Sequence, residues 1–197
     1  MNSKKILGYI SLSLILTFLI PCQGWTQALF PYEGEGGVKP GTHAPVIIHS
    51  FAAERGHYGY IWKIYLEAED PDGDMLRIAS VVDQPGVGRY PTDWVYLRKE
   101  YGNRLKGYIQ WNTFSSRSSY LREWTPITLK VSVFDKAGNE SNVIVFPFIF
   151  ELGRGQYEPT PPWPFDQGDL SMLGYIHIHL VNPQEGYDRF PRRDFRR

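Results

Sequence analysis

The feature that most constrains this chain is a strict two-residue alternation over residues 60–69. Tyr60, Trp62, Ile64, Leu66 and Ala68 alternate with Ile61, Lys63, Tyr65, Glu67 and Glu69. Successive side chains of an extended strand point to opposite faces, so this run predicts a strand with the first set facing a core. Asp70-Pro71-Asp72-Gly73-Asp74 ends it, because proline fixes φ and lacks an N–H while Gly73 accepts a positive φ. A strand over 75–82 follows, closed by Gln84-Pro85-Gly86, and weaker strands are read at 94–98 and 108–111.

Ile127, Leu129, Val131 and Val133 repeat the alternation, and Asp135-Lys136-Ala137-Gly138-Asn139 supplies the next turn. Residues 143–150 are apolar at both parities, which predicts a strand whose two faces are both covered. No stretch carries a 3.6-residue apolar period long enough for a core helix. About seven short strands with turn signals between them predict an all-β chain folded as an antiparallel β-sandwich. A late alternation, Ile176, Ile178 and Leu180 against Tyr175, His177 and His179, predicts one further strand at a sheet edge.

The N-terminus sets the compartment expected. Lys4 and Lys5 precede an uncharged, mostly apolar run from Ile6 to Ile20, broken by Pro21 and followed by Thr26-Gln27-Ala28. That order of charge, short apolar stretch and small residues is a secretory signal over 1–28, and the run is too short for the ~20 residues a membrane-spanning helix needs. Leu19-Ile20-Pro21-Cys22 is close to a bacterial lipobox, but Pro21 replaces the small residue, so lipidation at Cys22 is the lesser expectation. Cleavage after Ala28 removes two lysines and no acid, leaving 19 basic against 21 acidic residues, and it removes the one cysteine. The mature part then has no disulfide, thiolate nucleophile or thiolate metal site, and no basic excess for nucleic acid. No stable membrane span is expected after cleavage.

The remainder divides into a Gly- and Pro-rich leader over 29–44, a sandwich over 45–152, and a tail over 153–197. The tail holds a Pro-rich connector, the late strand and an Arg-rich end with Arg189, Arg192, Arg193, Arg196 and Arg197.

Glu67-Ala68-Glu69-Asp70-Pro71-Asp72-Gly73-Asp74 and, about 60 residues on, Val131-Ser132-Val133-Phe134-Asp135-Lys136-Ala137-Gly138-Asn139-Glu140-Ser141 are paired strand-turn motifs. On them, the segment from Ala44 to Leu152 resembles a bacterial immunoglobulin-like domain, related in architecture to fibronectin type III and cadherin modules. The paired cysteines of antibody domains are absent, and the Arg- and Tyr-rich stretch from Gly86 to Arg122 is wider than in the simple module. The resemblance implies an exported, non-enzymatic structural or interaction module, with a protein or an envelope or extracellular polysaccharide as partner. The alternative is a secreted carbohydrate-active or hydrolytic protein, or a carbohydrate-binding accessory, built on the same sandwich.

Few residues carry chemistry. Asp70, Asp72 and Asp74 form the one candidate calcium site, since oxygen-rich turns suit that ion. Glycine at the fourth position and Val81 at the twelfth exclude an EF-hand, and turns held by Asx hydrogen bonds are the favoured reading, with no cofactor. Asp135 and Asn139 lie in the second such turn, which a two-sheet domain can place at the opposite end. His177 and His179 share a face without an identifiable third ligand. Trp62 is expected in the core. Trp94, Trp111, Trp124 and Trp163, with Tyr90, Tyr96, Tyr101, Tyr108 and Tyr120, lie among Arg89, Arg98, Arg104 and Arg117, a mixture suited to a recognition surface or to rim packing. No nucleophile elbow or glycine-rich phosphate loop occurs.

Overall fold

A computed structural model describes residues 40–57, 59–114, 126–151 and 159–181. The signal segment, Cys22, Arg117, Tyr120, Trp124 and the Arg-rich end lie outside the described residues. The strands are β1 (Val46–Ala52), β2 (Arg55–Gly56), β3 (Ile61–Glu69), β4 (Met75–Gln84), β5 (Gly88–Arg89), β6 (Asp93–Tyr96), β7 (Arg104–Asn112), β8 (Pro126–Asp135), β9 (Ile144–Phe150) and β10 (Ser171–Ile176). One sheet has the order β1-β3-β7-β10, the other β2-β9-β8-β4-β5, with β6 also paired to β4. The result is a two-sheet, all-β sandwich, as the alternation predicts.

The core follows from the period-two faces. Trp62, Ile64, Leu66 and Ala68 of β3 are fully buried, and so are Leu129, Val131 and Val133 of β8. At its centre Trp62 lies 6.0 Å from Trp111 and 4.5 Å from Phe148, ring centre to ring centre. Trp111 is thus a core residue, and the Arg-Tyr texture around it in sequence does not place it at a recognition surface. Both indole N–H groups are satisfied, Trp62 donating to the Ala53 carbonyl at 2.8 Å and Trp111 to that of Ile178 at 2.9 Å. A buried donor without a partner costs about 1–3 kcal/mol, so these bonds fix where both segments run.

The first such segment is a strand switch. β1 pairs with β3 in one sheet, and after Ala53 the chain crosses so that β2 pairs in parallel with β9 in the other. The second is the tail. β10 pairs in parallel with β7, through Ser171–Ile176 and not through the later residues that the alternation marks, so the sandwich is not wholly antiparallel. Ile176, Ile178 and Leu180 nevertheless all enter the core, the last two beyond the ladder. Gln84 Nε2 donates to the Val181 carbonyl at 3.0 Å, and the Val181 N–H donates to Tyr90 Oη at 2.9 Å.

The expectation that both faces of 143–150 are covered is corrected. Phe146, Phe148 and Phe150 are buried, but Val145 is 53% exposed and Pro147 also faces solvent. β2 pairs only with Ile149 and Phe150, so Pro147 lies on the part of β9 with an open edge, where a residue without an N–H offers no donor to another strand. The strand the tail shields is β7.

Two substitutions test this packing. Trp62→Ala is expected to cost about 3–5 kcal/mol in chemical denaturation, from lost burial plus a cavity; an unmoved midpoint would place Trp62 at the surface. At Gly174, which brings β10 against β6, an added Cβ would lie 2.3 Å from Val95 Cγ1. Gly174→Val is therefore expected to cost about 1–3 kcal/mol by overpacking, and unchanged melting would show the tail to be undocked.

Candidate functional site

Because even-numbered β3 residues point inward, Lys63, Tyr65, Glu67 and Glu69 line the outer face of the four-stranded sheet. On β7 the outward set is Lys106, Tyr108 and Gln110. The register sets Phe51, Tyr65, Tyr108 and Met172 opposite one another across β1, β3, β7 and β10. Phe51 and Tyr65 lie 6.1 Å apart and Tyr65 and Tyr108 5.7 Å apart, with the Lys63 ammonium 5.8 Å from the Tyr108 ring centre. Cross-strand rings of this kind stabilise a sheet face.

Residues 159–170 form a strap over this face. Phe165 is buried against Tyr65 at 5.6 Å, and its N–H donates to the Pro162 carbonyl at 2.7 Å. Trp163, next but one, meets His49 edge-on at 5.0 Å yet stays 66% exposed. Tyr175, at the level of Gln110 on β10, is 48% exposed. Rings therefore run diagonally from Trp163 by way of Tyr65 and Tyr108 to Tyr175.

Beneath Trp163 lies an ionic network. Glu67 is only 2% exposed, although it sits at an outward position. His49 Nδ1 lies 3.1 Å from Glu67 Oε2, Arg104 donates to Glu67 Oε1, and Arg104 also reaches Glu69 at 3.4 Å. Burial alone pushes the Glu67 carboxyl up, but the Arg104 guanidinium, the Lys106 ammonium and the His49 hydrogen bond outweigh it and hold the group below its ordinary value. Glu67 was not singled out from sequence, because nothing local marks an outward glutamate as buried.

The acidic turn is built differently. Both Asp70 carboxylate oxygens accept backbone N–H bonds, from Asp72 and from Asp74, each at 3.1 Å. Gly73 takes φ 73°, as the turn requires. Asp72 turns away to His43, which bonds it through its backbone N–H and through Nδ1 at 2.9 Å; each partner raises the charged fraction of the other. Asp74 Oδ1 is buried without a hydrogen-bond partner. Desolvation, a side-chain bond to Asp70 and the nearby Asp135 charge push Asp74 above its ordinary value. The second turn lies at the same end as the first, not the opposite one, since the Lys136 N–H donates to the Asp74 carbonyl at 3.1 Å. Asp135 there accepts two bonds from Asn139, at 2.8 and 2.6 Å. Among the described residues no three His, Cys, Asp or Glu side chains are grouped to hold a metal ion.

The other sequence candidates disperse. Arg77 lies over Trp94 at 3.9 Å, with Phe134 beside the indole on the outer face of the larger sheet. Tyr90 is half-buried in the clasp on Val181, while Arg89 and Lys130 pair with Asp83 and Arg98 pairs with Glu100. His177 and His179 are both exposed, and His177 is 3.7 Å from Asp93.

Asp74 gives a pH prediction. An acid with a raised folded pKa contributes most below its unfolded value of 3.8 and loses that contribution as pH rises. Asp74→Asn is thus expected to melt higher than the native protein at neutral pH, with the gap closing as the pH is lowered toward 4. A lower melting point for the variant would contradict it. In the same scans, melting is expected to be equal in millimolar calcium and in chelator, because Asp70 and Asp72 already have their own donors; stabilisation by calcium, lost in Asp72→Asn, would establish a site there.

No protein-family model matches the chain, and no curated protein matches it. Among solved structures, the fibronectin(III)-like modules of Clostridium thermocellum CbhA match 59% of this chain at 15% identity, with a TM-score of 0.35. The match spans 51% of that chain's length.

Proposed function

We propose that this chain is an exported, non-enzymatic sandwich module of the bacterial envelope or exterior, which binds a partner through the outer face of its four-stranded sheet. One observation carries the reading: a strap holds an exposed Trp163 ring against His49, which is itself paired with a buried Glu67 that also binds Arg104. An exposed aromatic ring fixed on a sheet face suits recognition. A hydrolase instead brings shifted titratable groups together in one concave site. Here the shifted groups divide among separate places: Glu67 with His49 and Arg104, Asp83 with Arg89 and Lys130, and Asp72 and Asp74 with His43 in the acidic turn. Export rests on the signal pattern of residues 1–28. No helix among the described residues is long and apolar enough to cross a membrane.

Expression of the full chain in a bacterial host tests the reading. Intact mass of the exported protein is expected to start near Leu29 with no added lipid, and incubation with neutral polysaccharides is expected to release no reducing ends. A start at Cys22 with acyl mass would make it a lipoprotein, and reducing ends would make it a hydrolase.

A further inference from the structure

Two opposite charges without ion-pair partners stand on the outer face of the larger sheet. The register sets Tyr96, Arg77, Phe134 and Glu140 in one row across β6, β4, β8 and the bridge that follows it. Among the described arginines, Arg55, Arg89, Arg98 and Arg104 each pair with a carboxylate, whereas Arg77 pairs with none. Its guanidinium lies 3.9 Å from the Trp94 ring centre and 5.8 Å from that of Phe134, with Nε buried and without a hydrogen-bond partner. Glu140 is half-buried on the other flank of Phe134, and its Oε1 is likewise buried without a partner. Burial pushes this carboxyl above its ordinary value. Partly desolvated charges without partners are costly, yet these two do not meet within the chain: they stand two strand spacings apart, about 10 Å at ~4.8 Å each.

We infer that two copies of this chain pair through this face, Arg77 of each copy meeting Glu140 of the other. A two-fold axis running along β8 above Phe134 exchanges the two flanks, so both ion pairs form at once in an isologous contact. The same axis passes over Lys130, which is already paired with Asp83 at 2.7 Å. It also sets the exposed Val145 of one copy over Val81 of the other, because Val81, Lys130 and Val145 form a second row centred on β8. Sheets packed face to face lie about 10 Å apart, within the combined reach of an arginine and a glutamate side chain. An unrelated anionic partner would satisfy Arg77 and leave Glu140 without a cation, whereas a second copy satisfies both. The contact lies on the sheet opposite the Trp163 strap and does not involve it.

Sedimentation velocity over a concentration series, on protein purified after expression of the full chain, tests it. The native protein is expected to pass from monomer to dimer as its concentration rises. Arg77→Glu and Glu140→Arg are each expected to weaken self-association about tenfold, because each sets like charges against one another at both contacts. An equimolar mixture of the two variants restores both pairs and is expected to dimerise as the native protein does, a recovery that a merely damaged fold would not give. Trp163→Ala, on the other sheet, is expected to change nothing. Where a charge reversal fails to fold, Arg77→Gln and Glu140→Gln replace it, each expected to weaken dimerisation about tenfold at an unchanged melting temperature. A native protein that stays monomeric at every concentration overturns the inference. So does a dimer that survives these substitutions, a mixture of folded reversals that stays monomeric, or a dimer lost in Trp163→Ala.

Discussion

Two buried indole N–H groups hold this sandwich together. Trp62 and Trp111 face each other across β3 and β7 in the centre of the core, and each must find an acceptor there. Neither acceptor belongs to a strand. Ala53 supplies one where the chain passes from the first sheet to the second, and Ile178 supplies the other where the tail leaves β10. The aromatic centre therefore fixes the points at which the chain crosses between layers as well as filling the space between them. The Gln84 and Tyr90 bonds to Val181 extend the same arrangement by three residues.

The outer face of the four-stranded sheet depends on that anchoring. Once β10 is pinned beside β7, the segment before it must cross the outer surface of the four-stranded sheet, and Phe165 settles on Tyr65. Trp163 is then held near His49 with most of its ring in solvent. The strap covers part of the aromatic row and adds an exposed ring to it, so one element both packs the face and carries the ring on which the proposed recognition rests. Just beyond Glu69 and Arg104, at the same end of β3, His43 and Thr42 tie the start of the described chain to the two acidic turns through Asp72 and Asn139.

Much of this is legible in the residues themselves. Period two in 60–69 and 127–133 assigns the inward and outward faces of β3 and β8, because a strand leaves its side chains no other choice. Asp-Pro-Asp-Gly-Asp and Asp-Lys-Ala-Gly-Asn mark the turns through φ and Asx bonding, which are local effects. The fate of Trp111 is less legible, since Leu105, Ile109 and Trp111 are spaced by two but interrupted by Gly107, which weakens the pattern. The exposed outer side of β9 is misread because apolar residues at both parities do not show whether another segment lies over the outer face, which depends on the packing of distant segments.

What the sequence determined by itself is whatever depends on neighbours along the chain: strand faces, turn positions and an all-β sandwich. What only the tertiary structure decided is whatever depends on residues distant in sequence. The burial of Glu67 needs Arg104, 37 residues away, and the tail's parallel pairing needs β7, 64 residues before it in the register of Ser171 with Gly107. The placing of Trp163 needs His49, and the repulsion at Asp74 needs Asp135 brought to the same end. Through-space electrostatics and packing act between surfaces that exist only after the sheets close, and no local pattern encodes them.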